Sequence, residues 1–174
     1  YIRYDVLYTY ILARVQYWSQ QAQQDGDKLL QRLLNASDKE RNTAKKKQTA
    51  ELKKATKRKA EVDNLFAKMY EDWSVGRITE YNFNMLSEKY QAEQHELDEK
   101  IQELQAELDA AVQTAVDAEK WIELMKKYVN PTQLTAELLN ALIEKILIHE
   151  AVKHEDGTRE QEVEIFYRFI GKVE

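Results

Sequence analysis

The chain has 174 residues, 33% of them charged, with 26 Lys and Arg against 31 Asp and Glu for a net charge of −5. That balance argues against a general nucleic-acid-binding surface, and the absence of Cys excludes disulfides and thiolate zinc ligation within these residues. Four Gly and one Pro leave few helix breakers, and a mean hydropathy of −0.71 leaves little apolar mass for a compact core, so burial has to come from helix pairing.

The first segment is rich in aromatics: Tyr1, Tyr4, Tyr8, Tyr10, Tyr17 and Trp18. Tyr4, Tyr8, Ile11, Val15, Trp18 and Ala22 share one helical face, widened by Leu7 and Leu12. This predicts a base helix over residues 1–27 that packs against more than one partner, and the aromatics could alternatively stack on bases. Asp25-Gly26-Asp27 is a soft point, through which a kink and a continuous helix both remain open.

Residues 28–129 read as an antiparallel arm with its tip at 74–79. In the second half, Tyr90, Leu97, Ile101, Leu104, Leu108, Ala111, Ala115, Ala118, Ile122, Met125 and Val129 recur in steps of three and four once Gln94 is included. That is a heptad seam asking for a partner along its length. The first half offers Leu52, Ala55, Val62, Phe66, Met69 and Trp73, interrupted by Lys59. As one helix, residues 28–75 would extend about 70 Å. The polar run 37–50 has few seam residues and should be the loosest part.

Charge sets the register. A basic block holding Lys45, Lys53 and Lys57 lies in one half, and an acidic block holding Glu96, Glu103 and Asp109 in the other. If the chain folds back near residue 77, Lys45 faces Asp109, Lys59 faces His95 and Glu96, and Leu52 falls between Ile101 and Gln102. Each exposed pair contributes little, but a slipped register would set like charges together. At the bend, Gly76 suits a left-handed C-cap and Thr79 an N-cap. Trp73, Val75, Ile78, Tyr81 and Phe83 are more apolar groups than a solvated turn needs, so they form a candidate contact surface; a self-contained plug is the other use for them.

Asn130-Pro131 ends the second half, Thr135 caps a short helix, and 146–152 turns to a strand pattern. Asp156-Gly157 signals a hairpin, followed by Val163, Ile165, Tyr167 and Phe169 alternating with Glu162, Glu164, Phe166 and Arg168. Residues 130–174 are therefore expected as a short helix plus β-hairpin packed on 1–27. The fold class is mainly α: a long antiparallel coiled-coil hairpin on a small base of N-terminal helix, short helix and C-terminal β-hairpin.

The chemistry of an enzyme is missing from the pattern. His95, His149 and His154 lack helical metal spacing, and there is neither a phosphate-binding Gly-rich loop nor a nucleophile elbow. No stretch has the roughly 18 uninterrupted apolar residues of a membrane span. The chain begins at Tyr1, mid-pattern, and reads as a piece of something larger.

Several stretches carry a resemblance. Tyr1-Ile2-Arg3-Tyr4-Asp5-Val6-Leu7 is similar to the segment that follows the zinc-ribbon cysteines of large serine recombinases, the site-specific integrases and transposases of mobile elements. Leu65-Phe66-Ala67-Lys68-Met69-Tyr70-Glu71-Asp72-Trp73, with Gly76-Arg77-Ile78-Thr79 and Phe83, resembles their coiled-coil turn. Leu138-Leu139 and Ile143-Glu144-Lys145-Ile146, with Ile165-Phe166-Tyr167-Arg168-Phe169-Ile170-Gly171, resembles their C-terminal end, in the branch carried by conjugative transposons.

The resemblance implies a non-catalytic C-terminal segment whose arm mediates contacts between DNA-bound subunits and can be redirected by a directionality factor. It also implies zinc on an upstream ribbon, DNA bound through the parent protein, and a cytoplasmic site on bacterial nucleoid DNA. Neither the serine nucleophile nor the zinc ligands can be placed on these residues, so no cofactor is expected here. Two other readings stand beside it. One is a helical nucleic-acid-binding module using 45–59, and the other a structural coiled coil that dimerises along its length.

Overall fold

The computed structural model describes residues 2–173; Tyr1, counted above among the N-terminal aromatics, lies outside them. The chain is 70% helical, with five helices and two small antiparallel sheets among the described residues. It divides into two compact units, one spanning Asp38–Val112 and the other made of the residues up to Ser37 together with those from Gln113 on. Among the described residues, no helix is long and apolar enough to cross a membrane.

The unit 38–112 is a helical hairpin. Helix α3 (Asp38–Ser74) lies antiparallel to α4 (Glu80–Lys127), whose last part belongs to the other unit. Hydrogen bonds join Gln48 to Glu107 (2.9 Å), Arg58 to Glu93 (2.6 Å) and Gln94 to Asp63 (2.6 Å), and Lys59 pairs with Asp98. Each pair is centred close to residue 77, the predicted fold-back point. Ala55, Val62, Met69 and Leu104 are buried along the seam, with Leu52, Phe66, Leu97, Ile101 and Leu108 half-buried. Ala111, expected on the seam, is exposed.

The other unit holds the core. Helix α1 (Tyr4–Gln24) contributes Ile11, Val15, Trp18 and Ala22, and α2 (Gly26–Leu33) contributes Leu29. The end of α4 adds Trp121, Ile122 and Met125, and α5 (Ala136–Leu142) adds Leu138 and Leu142. Ring edges meet ring faces from Trp18 to Trp121 (5.7 Å) and from Trp121 to Tyr167 (5.5 Å). Polar side chains of α1 clamp the segment leaving α4: Gln23 donates to the Lys126 carbonyl (2.6 Å), Ser19 to that of Tyr128, and Gln16 to that of Pro131 (2.7 Å).

Strands β1 (Ile143–Ile148), β4 (Val163–Tyr167) and β5 (Gly171–Lys172) form an antiparallel sheet in the order β1-β4-β5. Strands β2 (Val152–Lys153) and β3 (Arg159–Glu160) form a separate ribbon across the Asp156-Gly157 turn. Alternate residues Ile165 and Tyr167 face the core, as period-two patterning requires.

Several expectations change, and the choice left open at Asp25-Gly26-Asp27 is settled. Residues 28–75 are not one helix: α2 ends in a Schellman turn, where the Asn35 and Ala36 amides donate to the Arg32 and Gln31 carbonyls and Asn35 takes φ 51°. The α1–α2 boundary is a true break, because the Asp25 carboxylate accepts from the Lys28 amide and starts a new helix. Val129 lies beyond α4 and is exposed, so the seam stops at Met125. Phe169 does not continue the strand alternation: with φ 72° it sits in a tight turn before Gly171, exposed to solvent. Tyr4, expected on the buried face of α1, is exposed as well. The ranges 1–27, 28–129 and 130–174 differ from the compact units because Leu29 packs into the core with Trp18, while the end of α4 supplies that core's centre.

Candidate functional site: the end of the helical hairpin

The hairpin end is built by two caps. The Gly76 amide donates to the Trp73 carbonyl (3.0 Å) and the Arg77 amide to that of Asp72 (2.8 Å), a Schellman turn that needs the left-handed φ of 76° found at Gly76. Arg77 also reaches the Asp72 carboxylate at 2.9 Å. Thr79 then starts α4, its hydroxyl accepting from the Asn82 amide (3.3 Å) and its carbonyl from that of Phe83 (2.9 Å).

These caps fix six rings and branched chains in two groups. Trp73 stacks on Phe83 with centroids 4.6 Å apart and planes 21° apart, and Tyr70 lies against both. Phe83 and Ile78 are half-buried and belong to the closure of the hairpin. Val75 and Tyr81 are not: they are 66% and 77% exposed. Of the predicted set, then, Val75 and Tyr81 face solvent, Trp73 is partly open, and Ile78 with Phe83 form the plug beneath. Sequence reading missed Tyr70 and Met85, 54% and 51% exposed, which add apolar area on two different sides of the hairpin end: Tyr70 beside Phe83, and Met85 with Tyr81 about 200° round α4 from Phe83. Their signal was present, since Tyr70 precedes Trp73 by three residues and Met85 follows Tyr81 by four, the spacing that puts helical side chains on one face.

The predicted charge register is realised by other residues. Among the described residues, Lys45, Lys53, Lys57, Glu96 and Glu103 make no ion pair, and Asp109 accepts from Gln105 within its own helix (3.0 Å). Arg58 and Lys59 bridge to α4 instead. The Arg58 hydrogen bond holds the Glu93 carboxyl below its ordinary range, and Asp98 raises the Lys59 ammonium.

One cluster elsewhere has metal-like composition. Ligand atoms of His149, Glu162 and Glu164 lie within 4.8 Å of one another, brought together because His149 pairs with Glu162 beyond the end of β1. A protein cation already sits there: Lys172 Nζ is 3.2 Å from Glu164 and 3.8 Å from Glu162. The Lys172 hydrogen bond holds the Glu164 carboxyl below its usual range, with a smaller push from His149. His154 is elsewhere, against Glu160 at 3.1 Å on the ribbon. His95 pairs with Glu99 on its own helix.

Several open clefts mark the surface of the core-bearing unit, among them one of about 540 Å³ lined by His149, His154 and Glu160. A cleft of about 570 Å³ is lined by Arg32, Thr114 and Ile170, and one of about 510 Å³ by Tyr10, Arg14 and Tyr167. The hairpin end offers exposed apolar contact area. Residues 107–174 match a family described as a domain of unknown function (DUF4368), a similarity that covers the end of α4, α5 and both sheets. Comparison with curated proteins and with solved structures gave no match.

Proposed function

We propose that the chain is the non-catalytic C-terminal portion of a site-specific serine DNA recombinase, and that its helical hairpin makes protein–protein contacts through its end during synapsis. The observation that carries this reading is the set of exposed apolar side chains at the hairpin end, Tyr70 on one side, Tyr81 with Met85 on another and Val75 at the bend, held by two capped helix ends and a stacked plug. Rigid aromatic groups on a preorganised turn supply contact area at little entropic cost. The ordered resemblance of three stretches to large serine recombinases supplies the biological setting. In that setting the partners are other recombinase subunits and a directionality factor, with DNA held by the parent protein in the bacterial cytoplasm.

The test is sedimentation of the chain beside a Val75→Ser/Tyr81→Ser variant, with helicity followed by circular dichroism. The wild type should self-associate weakly and with concentration, and the variant should lose that association at unchanged helicity. A tight dimer that survives the substitution would favour a structural coiled coil paired along its length.

A further inference from the structure

Between Arg41 and Ala60, helix α3 carries nine basic residues and one acid, Glu51, which is half-buried. Three of the nine find carboxylates: Arg41 with Asp38, Arg58 with Glu93, and Lys59 with Asp98. The other six, Lys45, Lys46, Lys47, Lys53, Lys54 and Lys57, are exposed and make no ion pair among the described residues. The acidic stretch of α4 therefore does not consume the basic block. At about 100° per residue, Lys46, Lys53 and Lys57 fall on the side of α3 opposite the buried Ala55, Val62 and Met69. From this geometry we infer that the outer face of α3 is a docking surface for the phosphate backbone of duplex DNA.

The chemistry of the face selects among anionic partners. Asn42, Thr49 and Ala50 line a shallow groove with Lys45, Lys46 and Lys53, and no large apolar side chain is available there to enter a bilayer. Lysines are point charges on flexible stems, without the planar fork that reads single carboxylates, and no aromatic anchor stands beside them for a peptide. Lys46 and Lys53 are one heptad apart, about 10.5 Å along the axis, and Lys57 follows about 6 Å further. A spacing of that order suits the two lips of a B-form major groove, roughly 12 Å wide, and not the narrow major groove of A-form RNA. The inference is independent of the recombinase reading. It concerns binding without sequence preference, because point charges touch phosphate and no base-reading side chain accompanies them.

The chain as it stands is titrated into a short labelled DNA duplex, a duplex RNA of the same sequence, and phosphatidylserine vesicles. Its net charge of −5 makes any retention of DNA a local effect. DNA should bind at micromolar concentration in about 50 mM salt and weaken on the order of a hundredfold by about 200 mM, the loss for some four phosphates neutralised. Lys46→Glu/Lys53→Glu/Lys57→Glu should lose at least tenfold, and the corresponding Gln variant somewhat less. A charge-matched control, Lys68→Glu/Lys89→Glu/Lys100→Glu, should stay within a fewfold of wild type. Circular dichroism checks helicity in each, and the salt dependence of the wild type stands even where a variant unfolds. Absence of DNA binding in low salt, binding indifferent to salt, equal loss in the control, or preference for RNA or vesicles would each overturn the inference.

Discussion

Tyr167 shows what a single side chain contributes and what it can reveal. It is fully buried at the end of the ring series, and its hydroxyl has no hydrogen-bond partner within the protein. Burial pushes that hydroxyl from its ordinary 10.0 up to about 12, opposed weakly by the nearby Arg14 charge. A phenol whose proton is held more tightly in the folded state keeps its full contribution below pH 10. Between pH 10 and about 12 the unfolded chain ionises first, so stability falls by up to about 2 to 3 kcal/mol. In urea unfolding, Tyr167→Phe should match wild type within about 1 kcal/mol at neutral pH, because no bond is lost. The variant should then gain on wild type as pH rises through that window. Parallel curves would place the hydroxyl in water. Tyr167 was legible as an inward strand residue, since period-two alternation marks it. Trp121 was not, because a two-helix seam steps from Ala118 to Ile122 and passes over it. Only a wider core, with α1 and β4 on other sides, gives Trp121 a reason to be buried.

At the scale of elements, the pairing of α3 with α4 was written in the sequence more clearly than the residues that enforce it. Heptad spacing and opposed charge blocks predict the fold-back point, and the cross-helix bonds lie around it. Which ions meet depends on angular position within the seam. Lys59 interrupts the apolar series and so sits at the interface, where Asp98 meets it; Arg58 flanks the seam and reaches Glu93. Lys53 and Lys57 point away, so counting charge along the chain overstates their pairing. Reversal of Arg58 and Lys59 to Glu should therefore lower the melting temperature by a few degrees at low salt and by less at high salt. The same reversal at Lys53 and Lys57 should leave melting nearly unchanged, and equal losses from both pairs would restore the simple block-against-block register. Helix ends were legible where Gly76, Thr79 and Thr135 supply cap chemistry. The end of α2 was hidden because Asn35 serves as a left-handed cap only when the next turn leaves the helix, and nothing in the run Leu33-Leu34-Asn35 announces that.

For the molecule as a whole, stability is distributed unevenly between two compact units. One unit buries thirteen apolar residues in a single cluster, two indoles and a tyrosine among them, whereas the buried apolar residues of the hairpin 38–112 are Ala55, Val62, Met69 and Leu104. Local opening is easiest where buried apolar contacts are fewest, so the two units should differ in amide protection. Hydrogen exchange followed by mass spectrometry on the chain should find amides of α3 between Lys39 and Ala50 exchanging at least about tenfold faster than those of α1 between Ile11 and Ala22. Protection should rise toward Val62 and Met69, where the seam is apolar, and fall again at the capped bend. The pattern separates the functional readings as well. A coil that pairs along its length with a second copy would cover the polar stretch of α3, and its amides would then become more protected as concentration rises. Contact confined to the hairpin end would leave residues 39–50 fast at every concentration and slow only the amides near Tyr70 to Met85. Duplex DNA laid on the lysine face should change these backbone rates little, since side-chain ammonium groups hold phosphate without covering the helix hydrogen bonds.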